Sequence, residues 1–292
     1  MEQAIKTIAI TGSTGGIGVE ICDYIAPRIE KLILLDRNLK RSEEHRKNLL
    51  EKYNNLDVDC IKCDLSDIDS VNEALNLVKN MQIDVFIHNA GIYRVERSIC
   101  STGYDNVYQV NFASPYYITK ELLPTLRKNG GKIVAVGSIA HNYSKIDEND
   151  IDFSSVAPCS KVYGNSKRYL MFALYELFNN EKGAKLSIAH PGVTFTNMTD
   201  HYHPLLFAII KYPMKLILMK PKKAVMSINK AIFEDVNYLE WFGPCLFDVW
   251  GNPAKRTLKT CPKNEREKIY QIAEKVYEQC NKTVNKEKNY DI

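Results

Sequence analysis

Residues 6–18 read Lys6-Thr-Ile-Ala-Ile10 and then Thr11-Gly12-Ser13-Thr14-Gly15-Gly16-Ile17-Gly18. Beyond them Val19, Ile21, Cys22 and Ile25 recur at helical spacing as far as Pro27. An apolar strand, a glycine-rich turn and a helix in direct succession is the setting in which a glycine cluster holds a nucleotide. Without a Cβ the backbone turns tightly and approaches a pyrophosphate closely, and the helix start supplies unpaired N–H groups and positive dipole. Gly12, Ser13, Thr14, Gly16, Ile17 and Gly18 are therefore candidate cofactor contacts. The other reading is a purely structural strand-to-helix turn.

The pattern continues outward. Strand-like runs Lys31–Leu35, Val58–Leu65, Ile83–His88, Gly131–Val136 and Lys185–His190 alternate with helical segments 43–53, 66–79, Gly103–Arg127 and 161–180. Pro124 is expected to break the third of these helices. Such alternation implies the α/β class, a Rossmann-type doubly wound parallel sheet with helices on both faces. Ligands of these sheets bind beyond the carboxyl ends of the strands. Asp36-Arg37, Asp64-Leu65, Asn89-Ala90-Gly91, Gly137-Ser138 and Pro191-Gly192 all lie at such ends. Their coincidence argues for one active site in a single domain spanning 1–292, with no linker, composition shift or internal repeat.

Asp36 stands 24 residues after Gly12 (36 − 12), where a carboxylate meets the hydroxyls of an adenosine ribose. It would repel a 2′-phosphate and so favours NAD, whereas Arg37 pulls toward NADP. A simple cap on the following helix is the alternative.

The totals bound the remaining possibilities. With 292 residues, 45% hydrophobic and 25% charged, the chain can bury a sizeable core, and a net charge of +4 with interspersed signs argues against a nucleic-acid partner. No secretory signal opens the sequence. The eight cysteines are scattered, and Cys60-Ile-Lys-Cys63 has no second pair to complete a zinc site, so no metal and free thiols in a reducing cytoplasm are expected.

Tyr163-Gly164-Asn165-Ser166-Lys167 puts a phenol and an ammonium one above the other on a helix face. A free phenol, with a pKa near ~10, is a poor base at neutral pH, and a nearby lysine cation is expected to lower it. Alone, this spacing is common on surface helices.

Together, Thr11-Gly12-x-x-x-Gly16-Ile17-Gly18, Asn89-Ala90-Gly91, Asn111, Ser138, Tyr163-x-x-x-Lys167 and Pro191-Gly192 resemble the short-chain dehydrogenase/reductase family over roughly residues 6–200. His88 departs from the asparagine common there. The resemblance implies an oxidoreductase with Tyr163 as acid/base and Ser138 holding the substrate oxygen. It further implies that Lys167 holds the nicotinamide ribose and that Asn111 orients a water. Val193 and Thr196 are implied cofactor contacts, along with Pro191 and Gly192. The 25 residues from Ser138 to Tyr163, and the runs Gly137-Ser-Ile-Ala-His-Asn and Tyr163-Gly-Asn-Ser-Lys-Arg, look like the retinol-dehydrogenase and WW-domain-oxidoreductase branch. That branch implies a lipophilic alcohol or ketone. An NADPH-dependent carbonyl reductase and a non-catalytic dinucleotide-binding regulator are the rivals. Family members also self-associate through helices equivalent to 103–127 and 161–180.

Residues 194–222 are expected to form a substrate lid. Their apolar runs 205–210 and 216–219 are split by Lys211, Pro213 and Lys215, too short and charged to span a bilayer. Packing and peripheral membrane contact are the other readings. His201 and His203 read as surface histidines, 222–234 as a helix, and the aromatic 238–244 run as pocket or subunit lining. Residues 260–292 read as a charged helical extension packed on the body through Ile269, Ile272 and Val276.

Overall fold

The computed structural model describes residues 5–152, 158–192 and 221–287. Val193, Thr196, the histidines 201 and 203 and nearly all of the expected lid lie outside them.

The strands are β1 (Thr7–Thr11), β2 (Lys31–Asp36), β3 (Asp57–Lys62), β4 (Val85–His88), β5 (Lys132–Val136), β6 (Lys185–Ala189), β7 (Glu240–Leu246) and β8 (Trp250–Thr257). They form one eight-stranded sheet in the order β3-β2-β1-β4-β5-β6-β7-β8. All pairings are parallel except β7 with β8, which is antiparallel. The helices are α1 (Gly16–Ile25), α2 (Leu39–Lys52), α3 (Ile68–Val78), α4 (Asn106–Tyr108), α5 (Ser114–Asn129), α6 (Cys159–Phe178), α7 (Pro221–Ala224), α8 (Met226–Phe233) and α9 (Lys263–Glu287).

Strand side chains alternate between two cores. Ala9, Ile33, Leu35, Phe86, Ile133 and Ala135 pack under α3, α5, α6 and α9. Ile8, Ile10, Leu32, Leu34, Val85, Ile87 and Val134 pack under α1 and α8. Both faces being apolar explains the nearly unbroken hydrophobic runs read from the sequence. The strand order reverses between β1 and β4, so a crevice opens there between the glycine turn and Asn89.

Two expectations change. The helix expected over Gly103–Arg127 begins at Asn106, because Asp105 caps it through Val107 N and Tyr108 N, while Gly103 sits at φ +88 in the preceding turn. It passes through a π-turn (Gln109–Ala113) into α5 and ends at Asn129, with Pro124 accommodated inside and Gly130 closing it in the left-handed region. The aromatic 238–244 run does not line a described pocket: Trp241 and Phe242 are buried on opposite faces of β7.

The C-terminal helix α9 lies across α5 and α6. Ile269, Ala273, Val276 and Cys280 are fully buried against Phe112, Tyr116, Tyr169 and Phe172, and the Ile and Val alone contribute on the order of 1.5–3 kcal/mol each. Lys120 pairs with Glu274, Arg168 with Glu265 and Arg266 with Glu176. α9 thus packs on both of the helices through which the family resemblance implies self-association. Among the described residues no helix is long and apolar enough to cross a membrane.

Candidate active site

The glycines of the first turn divide three tasks. Gly12 sits at φ +70, and a Cβ there would come 2.9 Å from Ala90 Cα and Cβ, so the β1 turn can lie against the end of β4 only without a side chain. At Gly18 a Cβ would stand 2.2 Å from the Gly12 carbonyl, which allows α1 to pack on the turn. At Gly16 it would meet nothing within 4 Å, because this residue faces a cleft of about 590 Å³. The turn is knitted to β4 by Asn89 Nδ2, which donates to Thr11 O (3.1 Å) and Gly12 O (2.9 Å). Thr11 Oγ1 in turn accepts from Asn89 N and Ala90 N.

Gly12, Thr14, Gly16, Ile17, Gly18, Asp36, Arg37, Asp64, Leu65, Asn89, Ala90, Gly91, Ser138, Tyr163, Lys167, Pro191 and Gly192 all line this cleft. Ser13 does not. It is fully buried, and its hydroxyl donates to Asp36 Oδ2, which also accepts from Ser42 Oγ at 2.9 Å. Ser13 therefore supports Asp36 rather than lining the cleft. Asp36 does not cap α2; Asn38 does, accepting from Arg41 N. Arg41, which a periodicity reading leaves as an ordinary helix residue, joins Arg37 and Asn38 on the cleft wall beside Asp36. Asp64 orders the turn after β3 by accepting from Ser66 N and Ser66 Oγ.

These features fit a dinucleotide. The Gly16 surface is open, the first turn of α1 carries no acidic residue and no side-chain cap, and a carboxylate flanked by two arginines stands at the far end. His88, despite its place beside Asn89, turns into the core: its Nε2 bonds Thr119 Oγ1 at 2.8 Å, and burial drives its pKa down to about 3.

The opposite end holds the polar cluster. Ser138 lies two residues beyond β5, and its hydroxyl accepts from Ala140 N (3.2 Å) and faces the Tyr163 phenol. Lys167, one turn along α6, is 3% exposed and donates to Val136 O at 2.8 Å, with Nζ 6.0 Å from the centre of the Tyr163 ring. Burial lowers its pKa to about 8. The expected depression of the phenol by this lysine is not found. Burial pushes Tyr163 up, Ser138 draws it back, and the ammonium is turned toward a backbone carbonyl.

Asn111 sits in the π-turn and does not line the cleft. Its Oδ1 accepts from Ile92 N (2.8 Å), and its Nδ2 donates to Ile92 O (2.9 Å) and Ser166 Oγ (3.1 Å). The turn has a local cause. Ser114 N bonds Gln109 O five residues back, and Gln109 Nε2 reaches Ser114 Oγ (2.8 Å) across it. Pro115 then supplies no N–H for the Asn111 carbonyl four residues earlier. That Asn-x-x-x-Pro spacing was a readable signal. A second phenol went unnoticed in the sequence: Tyr93 lines the cleft with its ring edge-on to Tyr163, centroids 5.1 Å apart. Beneath the cleft His190 stacks on Trp241 (5.3 Å, 12°).

The arrangement can place a dinucleotide's reactive end between the Ser138–Tyr163–Lys167 cluster and the β4 loop. Short-chain dehydrogenase TIC 32 A, chloroplastic, of Brassica napus is 29% identical over 82% of this chain and 80% of its own length. Retinol dehydrogenase 12 of Mus musculus is 26% identical over 87% of this chain and 82% of its own. The solved short-chain dehydrogenase from Sphingobium yanoikuyae in complex with NADPH shares the fold, with a TM-score of 0.61 at 21% identity over 77% of this chain and 83% of that one. Since the family model described as short chain dehydrogenase matches residues 6–204, the chain belongs to the short-chain dehydrogenase family.

Proposed function

We propose that this protein interconverts a secondary alcohol and its ketone, of apolar character, using a nicotinamide dinucleotide, with NAD favoured over NADP. The observation that carries the reading is the meeting of Ser138, Tyr163 and Lys167 at one end of the cleft whose other end is the Gly12–Gly18 turn. A bound nicotinamide supplies or accepts the hydride at the reacting carbon. The Tyr163 phenol gives its proton to, or takes one from, the substrate oxygen, and the Ser138 hydroxyl holds that oxygen within reach. Lys167 places a cation behind the phenol's side of the cleft, and Asn111 fixes the Ile92 backbone opposite. Ile92, Tyr93 and Ile139 give that end an apolar wall suited to a lipophilic substrate.

The preference for NAD rests on the Asp36 carboxylate at the ribose end. A second reading, NADPH-dependent ketone reduction, draws on Arg37 and Arg41 beside it. Turnover of wild type and Tyr163→Phe over a panel of alcohols and ketones, with each cofactor, tests the proposal. Loss of the hydroxyl is expected to lower kcat by about 10²- to 10⁴-fold. A variant that keeps the wild-type rate, or cofactor binding without turnover on any panel member, would refute it.

A further inference from the structure

His141 is fully buried in the middle of the short 3₁₀ turn (Ile139–Tyr143) that follows Ser138. Its ring lies edge-on to Phe172 (5.8 Å) and Trp241 (5.5 Å), which is all that a space-filling histidine would need. Both nitrogens are nevertheless engaged. Nδ1 is 2.6 Å from the Ser138 carbonyl oxygen and Nε2 is 2.9 Å from Thr260 Oγ1. A carbonyl only accepts, so Nδ1 carries the proton. Burial, with Arg168 nearby, holds the ring neutral, its pKa down at about 4, so Nε2 must accept from the threonine hydroxyl. One tautomer satisfies both bonds.

The partners are themselves fixed. Arg168, next to Lys167 on α6, donates to His141 O (3.1 Å) and Thr260 O (2.9 Å) and grips Glu265 at the start of α9 with two bonds of 2.8 Å. Glu265 lies in the first turn of α9, where its charge complements the helix dipole. A chain of contacts thus runs from the C-terminal helix through Arg168 and Thr260 to His141, and from His141 to the backbone of the serine in the active site.

We propose that His141 is a positioning residue for Ser138, locked by Thr260 and Arg168, so that the segment entering α9 sets the geometry at the reaction centre. The inference rests on the proposed role of Ser138. The test uses the full chain, saturating cofactor and any substrate on which wild type turns over, with His141→Ala, His141→Asn, Thr260→Val, Ser138→Ala and the double variant His141→Ala/Ser138→Ala.

A displaced serine is expected to lower kcat in His141→Ala by about 10- to 100-fold, the scale of a misplacement near 1 Å. KM and the dissociation constant of the cofactor should stay within about twofold, because the Gly12–Gly18 end is untouched. His141→Asn keeps an N–H at the δ position and should recover most of the rate. Thr260→Val, which loses only the tautomer lock, should fall between. The double variant should be no slower than Ser138→Ala alone, since two residues acting through one group are not additive.

A wild-type kcat in His141→Ala, additive losses in the double variant, or weakened cofactor binding in step with kcat would overturn the inference. If His141→Ala does not fold, His141→Asn and Thr260→Val decide: equal losses in both, with cofactor affinity falling alongside, count against it. Should Ser138→Ala itself turn over normally, the proposed reaction fails first and is seen to do so.

Discussion

Gly16→Ala should separate folding from cofactor binding. Gly16 opens α1 with ordinary backbone angles, and a Cβ built there meets nothing within 4 Å. Replacing glycine where alanine is tolerated reduces the freedom of the unfolded chain, so the apo protein should gain about 0.4–1 kcal/mol. The new methyl, however, projects into the cleft that a pyrophosphate must enter. Pushing a ligand off a close-fitting surface costs about 1–3 kcal/mol, which weakens its dissociation constant by about 5- to 150-fold. Gly12→Ala and Gly18→Ala provide the contrast. Their Cβ atoms would stand 2.9 Å from Ala90 and 2.2 Å from the Gly12 carbonyl, so stability and binding should fall together. Urea unfolding of the apo proteins and titration of reduced dinucleotide fluorescence give the two quantities independently. A Gly16→Ala protein that binds dinucleotide as tightly as wild type would show that the pyrophosphate does not lie against this turn, and the reading of the cleft would be wrong.

Other perturbations are as specific. Glu265→Gln leaves the Arg168 guanidinium, 4% exposed, without its carboxylate, and should cost up to about 3 kcal/mol in urea unfolding. Arg168 holds Glu265 below its ordinary 4.5 against the opposing effect of burial. Its contribution is therefore present above that value and lost as pH falls through the lower folded-state value, so the variant should show a shallower acid limb; an unchanged limb would count against the pair. Lys167 gives the same sign of pH slope but costs stability at neutral pH. Burial lowers it from 10.5 to about 8, so between those values the unfolded chain binds the proton more readily and stability rises with pH. Lys167→Met should remove that slope and be more stable at neutral pH while losing turnover; a destabilised variant would contradict the burial cost. Asp36→Ala should lower kcat/KM with NAD by about 10- to 100-fold relative to NADP, the scale of lost charge-assisted hydrogen bonds. An unchanged cofactor ratio would mean that Asp36 only anchors Ser13 and Ser42.

What sequence could reveal here was governed by locality. Parallel strands buried on both faces leave unbroken apolar runs, so β1 to β6 and the crevice at their carboxyl ends were legible from Ile8–Ile10, Leu32–Leu35 and their counterparts. Motifs whose function depends on backbone shape, such as Gly12 and Gly18, were equally plain. Properties set by partners distant in sequence were not. Ser13 lies inside the glycine turn yet is drawn away by Asp36, and His88 by Thr119 on α5. Lys167 turned to Val136 O rather than serving the phenol as its spacing suggested. β8, rich in exposed polar residues and pairing only with β7, has no apolar alternation to betray it. His141 looked like part of a branch signature, and its two hydrogen bonds, one to a residue 119 positions away, have no trace in local pattern.

The bracing of Ser138 by the distal end of the chain has a consequence for biosynthesis. A nascent polypeptide released to residue 196 already carries the recognised motifs and the strands of the dinucleotide crevice. Thr260 and Glu265, which clamp the serine turn, emerge only afterwards. Cofactor affinity and catalytic competence should consequently be acquired at different moments on the ribosome, the second only when the final helix has docked.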